Sequence, residues 1–242
     1  MKVLQLNAWA GNLTPEIVRM LDREDPDIVC LQEVISVDRT AKILQSLEEL
    51  LEAHTFKYVY YSPLVQFRYM HGHAQRGNAV LSKYPILQQD TFWTNGGAFQ
   101  PDFEYSMGWN SARGVAHCLI DAPDGPIHVV TNHGYHVREH KNGTAETLAA
   151  CQQIADYCQQ LEGKVVLTGD FNLVPRSDSL EVLNRTMRNL CIEHDVQTTR
   201  NHLTTKTEVC DYIFVNDAVT VEDFAVLDDV VSDHKALVAI IK

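Results

Sequence analysis

The chain has 242 residues, a length typical of one α/β or β-sandwich domain, or of two small domains at most. Hydrophobic residues make up 45% and charged residues 21% of it, with 12 glycines and 8 prolines, which excludes collagen-like and low-complexity classes. The net charge of −12 disfavours strong non-specific binding of duplex DNA, because such binding depends on basic side chains that displace counterions from phosphates.

The six cysteines lie mostly in apolar stretches, without C-x-x-C or zinc-finger spacing, so we expect buried free thiols. The first residues, MKVLQLN, have the pattern of a strand rather than of a signal peptide. No apolar run approaches the roughly 18–20 residues that span a bilayer. We therefore predict a cytoplasmic protein without a transmembrane segment.

The first predicted elements are a strand and a helix. Val3–Leu6 forms the strand, and the helix begins at Thr14, whose hydroxyl is a candidate N-cap, followed by Pro15. Pro26 ends this helix. A buried strand at Ile28–Leu31 follows it.

The middle of the chain is predicted to be one helix followed by strands. Residues 38–53 carry apolar side chains at helical spacing and predict an amphipathic helix. The strand-like runs that follow are Phe56–Tyr61, Asn78–Ser82, Gln88–Trp93, Val115–Ile120 and Ile127–Thr131. The segment APDGP at residues 122–126 predicts a hairpin between the last two.

The remaining elements complete the expected architecture. A helix face runs from Leu148 to Leu161, and strands are predicted at Lys164–Thr168, Asp211–Val215 and Ala236–Ile241. Hairpin and strand–helix–strand settings both occur, which favours two mixed sheets packed face to face with helices outside. We expect a single domain over residues 1–242.

Polar side chains recur where predicted strands meet loops, the position at which sheet proteins often bind ligands. One such residue means little, since Asp and Asn favour turns in any protein. Their coincidence at six places is more informative. The residues are Asn7, Glu33, Asn132, His133, Asp170, Asn172, Asp211, Asp233 and His234.

These residue types suit one chemistry. Hard oxygen ligands such as Glu33 and Asp233, without cysteine, favour Mg²⁺ or Mn²⁺. A histidine beside a carboxylate is a typical general base, which makes His234 and Asp211 a candidate pair. Together they indicate metal-assisted hydrolysis of a phosphoester.

Seven segments, taken in order, resemble the motifs of the endonuclease/exonuclease/phosphatase superfamily, the metal-dependent phosphoesterases related to pancreatic-type deoxyribonuclease. The resemblance extends over about residues 3 to 241 and implies a four-layered α/β/β/α sandwich. The segments are LQLNAW (4–9), DIVCLQEV (27–34), GNAVLSKYPI (77–86), TNH (131–133), LTGDFN (167–172), CDYIF (210–214) and SDH (232–234).

The resemblance also implies roles for individual residues. Glu33 resembles the metal-ligand glutamate, Asn7 the amide beside the metal, and Asp233 a further acidic residue of the metal site. Asp170 and Asn172 match the residues that orient the water and the phosphate, and His234 with Asp211 matches the histidine–carboxylate dyad. His133 matches a second catalytic histidine, and Arg113 a phosphate-contacting cation.

The substrate is left open by these motifs. The sequence favours a phosphodiester, because no basic cluster that would hold a multiply charged phosphate is visible along the chain. A nucleic-acid end and a small phosphodiester are both candidate partners. Two alternatives remain: a DNA or RNA nuclease with a local basic groove, and a catalytically inactive scaffold of the same fold.

One aromatic loop has two interpretations. Residues 96–111 include Phe99, Phe103, Tyr105, Met107 and Trp109. They could line a ligand site or cap the edge of the core.

Overall fold

The computed structural model describes residues 1–37, 46–53, 56–69, 72–104 and 112–242. The strands within these ranges are β1 Lys2–Asn7, β2 Ile28–Val37, β3 Tyr58–Tyr69, β4 Gly72–Ser82, β5 Ile86–Asn95, β6 Arg113–Ala122, β7 Gly125–His133, β8 Lys164–Asp170, β9 Arg188–Asn189, β10 Asp211–Val215, β11 Val221–Val226 and β12 Leu237–Ile241. The helices are α1 Thr14–Glu24, α2 Ser46–Ala53, α3 Ala145–Gln160, α4 Asp178–Asn184 and α5 Leu190–Glu193.

The strands form two mixed sheets of six strands each. The first has the order β11-β12-β1-β2-β4-β3 and the second the order β5-β6-β7-β8-β10-β9. Each sheet contains one parallel pair, β1 with β2 and β7 with β8, and its other neighbours are antiparallel. A parallel pair needs a long crossover, which α1 supplies in the first sheet and α3 in the second.

The two sheets pack face to face with helices on the outer faces. Val3 and Cys30 of the first sheet belong to the same buried cluster as Val129 and Val166 of the second. Leu4 faces the other way, into a cluster shared with the α1 residues Ile17, Met20 and Leu21. The predicted four-layered α/β/β/α sandwich is therefore confirmed.

Several predicted elements are longer in the structure. β3 and β4 pair along almost their whole lengths, from Tyr58 opposite Ser82 to Tyr69 opposite Gly72. The predicted hairpin is present, with Ala122 opposite Gly125. The predicted helix over residues 38–53 is observed from Ser46 onward, and residues 38–45 lie outside the described ranges.

The predicted cap of α1 is wrong. The helix begins at Thr14 itself, its N-cap is Leu13, and no side chain caps it. The Thr14 hydroxyl instead donates to the carbonyl of Gly11 at 2.9 Å. The 3₁₀ turn Trp9–Gly11, which follows β1 directly, brings that carbonyl within reach.

Burial confirms the prediction for the thiols and bears on the open interpretation of the aromatic loop. All six cysteines are free and buried, and burial raises the pKa of Cys30 to about 12. Phe103 lies in a buried cluster with Leu64 and Phe67, so this member of the aromatic loop belongs to the core. Tyr105, Met107 and Trp109 lie outside the described residues.

Among the described helices, none combines the length and apolar character that crossing a membrane requires.

Candidate active site

The candidate residues meet at one edge of the sandwich, where the two parallel strand pairs end. Asn7 is the last residue of β1, and His133 and Asp170 are the last residues of β7 and β8. The register places His133 opposite Asp170, and Asp170 opposite Asp211, the first residue of β10. The carboxyl ends of parallel strands are a common ligand site, and here both sheets contribute one.

The alternation of β1 directs two polar side chains toward the second sheet. Leu4 and Leu6 pack in the cluster under α1, so the side chains of Gln5 and Asn7 face the other way. The amide nitrogen of Gln5 donates to Asp211 Oδ1 at 3.3 Å, and that of Asn7 donates to Asp170 Oδ2 at 3.1 Å. These bonds join the two sheets at the edge of the site.

His234 and Asp211 form the expected pair. Nδ1 of His234 lies 2.9 Å from Asp211 Oδ2 and donates to it, and Asp211 also accepts from the Thr199 hydroxyl at 2.7 Å. Burial opposes protonation of His234, but the charges of Asp211 and Asp170 outweigh it and raise the pKa of the ring. Asp211 begins a strand of the second sheet and His234 precedes β12 of the first, so the pair bridges the sandwich.

Arg200 contacts this pair from the other side of the imidazole. Its guanidinium donates to Nε2 of His234 and lies 3.5 Å from Asp233 Oδ2. A guanidinium has no acceptor, so Nε2 of His234 must be the accepting nitrogen. Burial opposes the charge of Arg200, but Asp170, Asp211 and Asp233 raise its pKa.

Asp170 and Asn172 are fixed by the tight turn after β8. Gly169 has a φ of 149°, and a Cβ there would lie 2.0 Å from the carbonyl oxygen of Asn132, so only glycine fits. The backbone N–H of Asn172 donates to Asp170 Oδ1 at 2.9 Å, and Asn172 adopts a left-handed φ of 56°. Burial would raise the pKa of Asp170, but the charges of His234, Arg200 and His133 lower it. The carboxyl is therefore an anion in the fold.

Lys141 is a functional candidate that the sequence did not reveal. Its ammonium group donates to Asn172 Oδ1 at 2.8 Å and to the carbonyl of Val137 at 3.2 Å. Burial lowers the pKa of this lysine. Because Lys141 occupies the oxygen of the Asn172 amide, it fixes which way the amide points. No motif surrounds Lys141 in the sequence, and only the fold places it beside Asn172.

Glu33 occupies a bulge rather than a strand end. β2 continues to Val37, and its register against β4 shifts between Leu31 and Val34. Glu33 has a left-handed φ of 55° there, a strained conformation for a residue other than glycine. A bulge re-aims the side chain that it carries, and the Glu33 carboxylate lines the cleft.

Arg113 and His133 form a second buried pair. Nδ1 of His133 lies 3.1 Å from the guanidinium of Arg113 and must accept from it. The proton of the neutral ring is therefore on Nε2, which lies 3.7 Å from Glu33 Oε1 and 3.9 Å from Asp170 Oδ2. Burial, then the charge of Arg113, lowers the pKa of His133. Burial also lowers the pKa of Arg113, to about 10.

Two sets of side chains at this edge of the sandwich could hold a metal ion. Asp170, Asp211 and His234 offer ligand atoms within 4.8 Å of one another. Asp211 in this group is already engaged by His234 and Thr199, so it is poorly available as a ligand. Glu33 and Asp233 face the same cleft as Asp170, and their oxygen ligands are those that Mg²⁺ and Mn²⁺ prefer. The carboxylates of the cleft therefore suit a hard divalent ion.

The structure places seven of the nine predicted site residues in the lining of one cleft of about 240 Å³. They are Glu33, Arg113, His133, Asp170, Asn172, Asp233 and His234. The other two, Asn7 and Asp211, lie behind this surface and bond to Asp170 and His234. Three further cations of the lining were not predicted, because they come from distant parts of the chain. They are Arg76, Arg200 and Lys206.

Comparisons with known proteins bear on the family and the fold of the chain. The sequence profile of the Endonuclease/Exonuclease/phosphatase family matches residues 4–234. No curated protein matches the chain significantly.

Solved structures share the fold at low sequence identity. An endonuclease/exonuclease/phosphatase from Bacteroides vulgatus superposes with a TM-score of 0.76 at 18% identity, covering 100% of this chain and 98% of that one. The mannosyl-6-phosphatase Bt3783 of Bacteroides thetaiotaomicron gives 0.74 at 17% identity, covering 100% and 99%. TDP2 of D. rerio, complexed with a single-strand DNA product, gives 0.71 at 12% identity, covering 100% and 98%. Since the family profile extends over nearly all of its length, the chain belongs to the endonuclease/exonuclease/phosphatase family.

Proposed function

We propose that this protein is a Mg²⁺- or Mn²⁺-dependent hydrolase of phosphoesters in which water attacks phosphorus directly. The observation that carries the proposal is the convergence, in one cleft, of three carboxylates with a histidine held by a buried aspartate. Membership of a family of phosphoesterases and nucleases supports the reaction class.

Glu33 and Asp233 are the proposed metal ligands, with the Asn7 amide beside them. Both carboxylates line the cleft, and Asn7 lies opposite Gln32 in the register, one residue from Glu33. A bound divalent ion would supply Lewis-acid stabilisation of the charge that develops on the phosphoryl oxygens.

His234 is the proposed general base. Asp211 accepts from Nδ1, which fixes the tautomer and makes Nε2, to which Arg200 donates in this structure, the nitrogen that can take up a proton. As the oxygen of the attacking water bonds to phosphorus, its proton moves to Nε2 of His234. Asp170, 3.7 Å from the same nitrogen, orients the water or serves as the alternative base.

His133 and the amides complete the proposed machinery. The neutral His133 ring donates a hydrogen bond from its Nε2–H to the ester oxygen. As the bond from that oxygen to phosphorus breaks, the alkoxide takes a proton from solvent water and leaves as the alcohol, and the proton held by His234 neutralises the hydroxide that remains. Asn172, oriented by Lys141, donates its amide N–H to a phosphoryl oxygen. Arg113 supplies positive charge beside the same oxygens.

The expected preference for a phosphodiester rested on the absence of a basic cluster along the sequence. The fold assembles such a cluster from distant residues, so that reason no longer applies. The cluster also supports the second candidate, a nuclease that acts at a nucleic-acid end, and TDP2 with its single-strand DNA product supports it by fold. The inactive-scaffold alternative is disfavoured because all nine candidate residues are present at the site edge.

We also propose that the protein binds long duplex DNA weakly and that it works in a reducing compartment. The net charge of −12 still favours weak binding of long duplex DNA. Six free buried thiols support a reducing compartment such as the cytoplasm.

The proposed function is tested with a panel of phosphodiesters, phosphomonoesters and oligonucleotides. The protein is first treated with EDTA, and Mg²⁺ or Mn²⁺ is then restored. We expect hydrolysis of at least one ester only with the metal. Absence of hydrolysis across the panel with either metal would contradict the proposal.

A further inference from the structure

The cleft is rich in positive charge although the chain is strongly acidic. Four cationic side chains line it, against three carboxylates, Glu33, Asp170 and Asp233. The cations are Arg76, Arg113, Arg200 and Lys206. They come from β4, β6 and the segment between α5 and β10, so only the fold brings them together.

The two inner cations are held rigidly. Arg113 and Arg200 are each only 4% exposed, and each donates to a histidine ring. Burial and the histidine contacts restrict both guanidinium groups before a substrate binds, which lowers the entropy cost of binding an oxyanion.

The two outer cations mark the rim. Arg76 is half-buried, with its guanidinium 5.8 Å from the centre of the Phe103 ring. Lys206 is exposed in the segment before β10. These side chains extend the positive charge outward from the inner arginines.

The charge balance discriminates between phosphate esters. Four cations against three carboxylates leave one positive charge, and a divalent ion on those carboxylates would raise this to three. A phosphomonoester carries roughly 1.5–2 negative charges at neutral pH, as a phosphorylated side chain does. A phosphodiester carries one.

The volume of the cleft, about 240 Å³, is room for a phosphate group with a small alcohol.

We propose that the preferred substrate is a phosphomonoester of a small alcohol, whose terminal dianionic phosphate is held by the four cations of the cleft. This inference rests on the proposed function and names its substrate class. It replaces the phosphodiester that the sequence alone favoured.

The test compares two esters with the same leaving group, p-nitrophenyl phosphate and methyl p-nitrophenyl phosphate, in Mg²⁺. If one extra charge is worth about 1.4 kcal/mol, kcat/KM for the monoester exceeds that for the diester by about tenfold. Lys206→Gln should lower kcat/KM for the monoester several-fold and kcat/KM for the diester by a smaller factor. Arg185→Gln, which removes an exposed arginine outside the cleft, is the matched control and should change neither.

A binding measurement makes the test independent of turnover. Inorganic phosphate and dimethyl phosphate are titrated into the Mg²⁺-loaded protein by calorimetry, and we expect phosphate to bind about tenfold more tightly. Lys206→Gln should narrow that difference.

The outcomes separate the inference from the proposed function. Equal or better cleavage of the diester, or equal losses for both esters in Lys206→Gln, would overturn the inference and leave the hydrolase intact. Tight phosphate binding without cleavage of either ester would support the anion site and count against the hydrolase. Equal binding of the two anions would overturn the inference by itself.

Discussion

The guanidinium of Arg200 donates to Nε2 of His234, while Asp211 accepts from Nδ1 of the same ring. The arginine therefore occupies the nitrogen that the proposed reaction needs as a proton acceptor. For His234 to act as the base this hydrogen bond has to break, and an anionic substrate that attracts the guanidinium would favour its breaking.

Glu33→Gln should abolish most of the activity without unfolding the protein. The substitution removes the negative charge that attracts the metal, while the bulge in β2 keeps its backbone contacts. Activity is measured against Mg²⁺ concentration, and Tm is measured with and without the ion. Glu49→Gln, at an exposed position of α2, serves as the control. Full activity of Glu33→Gln at saturating Mg²⁺ would show that Glu33 is not a ligand.

His234 and Asp211 should behave as one unit. His234→Ala should lower kcat by about 10²–10⁴, the usual contribution of a positioned acid or base. Adding Asp211→Asn to His234→Ala should lower kcat little further, because the effects of removing groups that act together are not additive. A double-mutant cycle on kcat at saturating metal measures this. Independent, multiplicative losses would mean that the two residues have separate roles.

Lys141→Met should lower kcat by about tenfold with little change in KM, because the Asn172 amide loses the bond that orients it. Tm should not fall in parallel, since a buried, desolvated ammonium is replaced by a side chain of similar size. Lys141→Arg should recover part of kcat. An unchanged kcat in Lys141→Met would refute the positioning role.

The stability of the fold should fall as pH falls from about 6.5 to about 4. The Tyr157 hydroxyl and His128 Nδ1 lie 2.8 and 2.9 Å from the two ring nitrogens of His117, and burial, together with the charge of His128, lowers the pKa of His117 to about 4. An unfolded histidine titrates near 6.5, so the unfolded chain binds more protons across this window. The stabilisation that the neutral His117 ring gives the fold is fully present above pH 6.5 and is lost as the pH approaches 4.

His117→Gln is the matched variant, because glutamine keeps a donor and an acceptor but does not titrate. The free energy of unfolding is measured for both proteins from pH 4 to 7.5. The wild type should lose up to about 1.4 kcal/mol per pH unit relative to the variant. Parallel curves would show that His117 titrates normally in the fold.

Much of the site could be predicted because the sequence shows where buried strands begin and end. Four site residues lie at such points, and the sandwich brings these strand ends to one edge. They are Asn7, His133, Asp170 and Asp211. The single domain over residues 1–242 stays a prediction.

Other features could not be predicted because they depend on contacts between distant residues. No local pattern shows that β2 continues through a bulge at Glu33, or that Arg200 reaches His234. Thr14 has the residue type of an N-cap, but the carbonyl of Gly11 takes its hydroxyl. Net charge is also a poor guide to the site, since this acidic chain places four cations in one cleft.

Hydrolysis of a phosphoester in ¹⁸O-labelled water, with and without Mg²⁺, is the most direct test of the proposed reaction. We expect label in the phosphate product, none in the alcohol, and no turnover after EDTA until the ion is restored. Label in the alcohol, or full turnover in EDTA, would contradict metal-dependent attack of water on phosphorus.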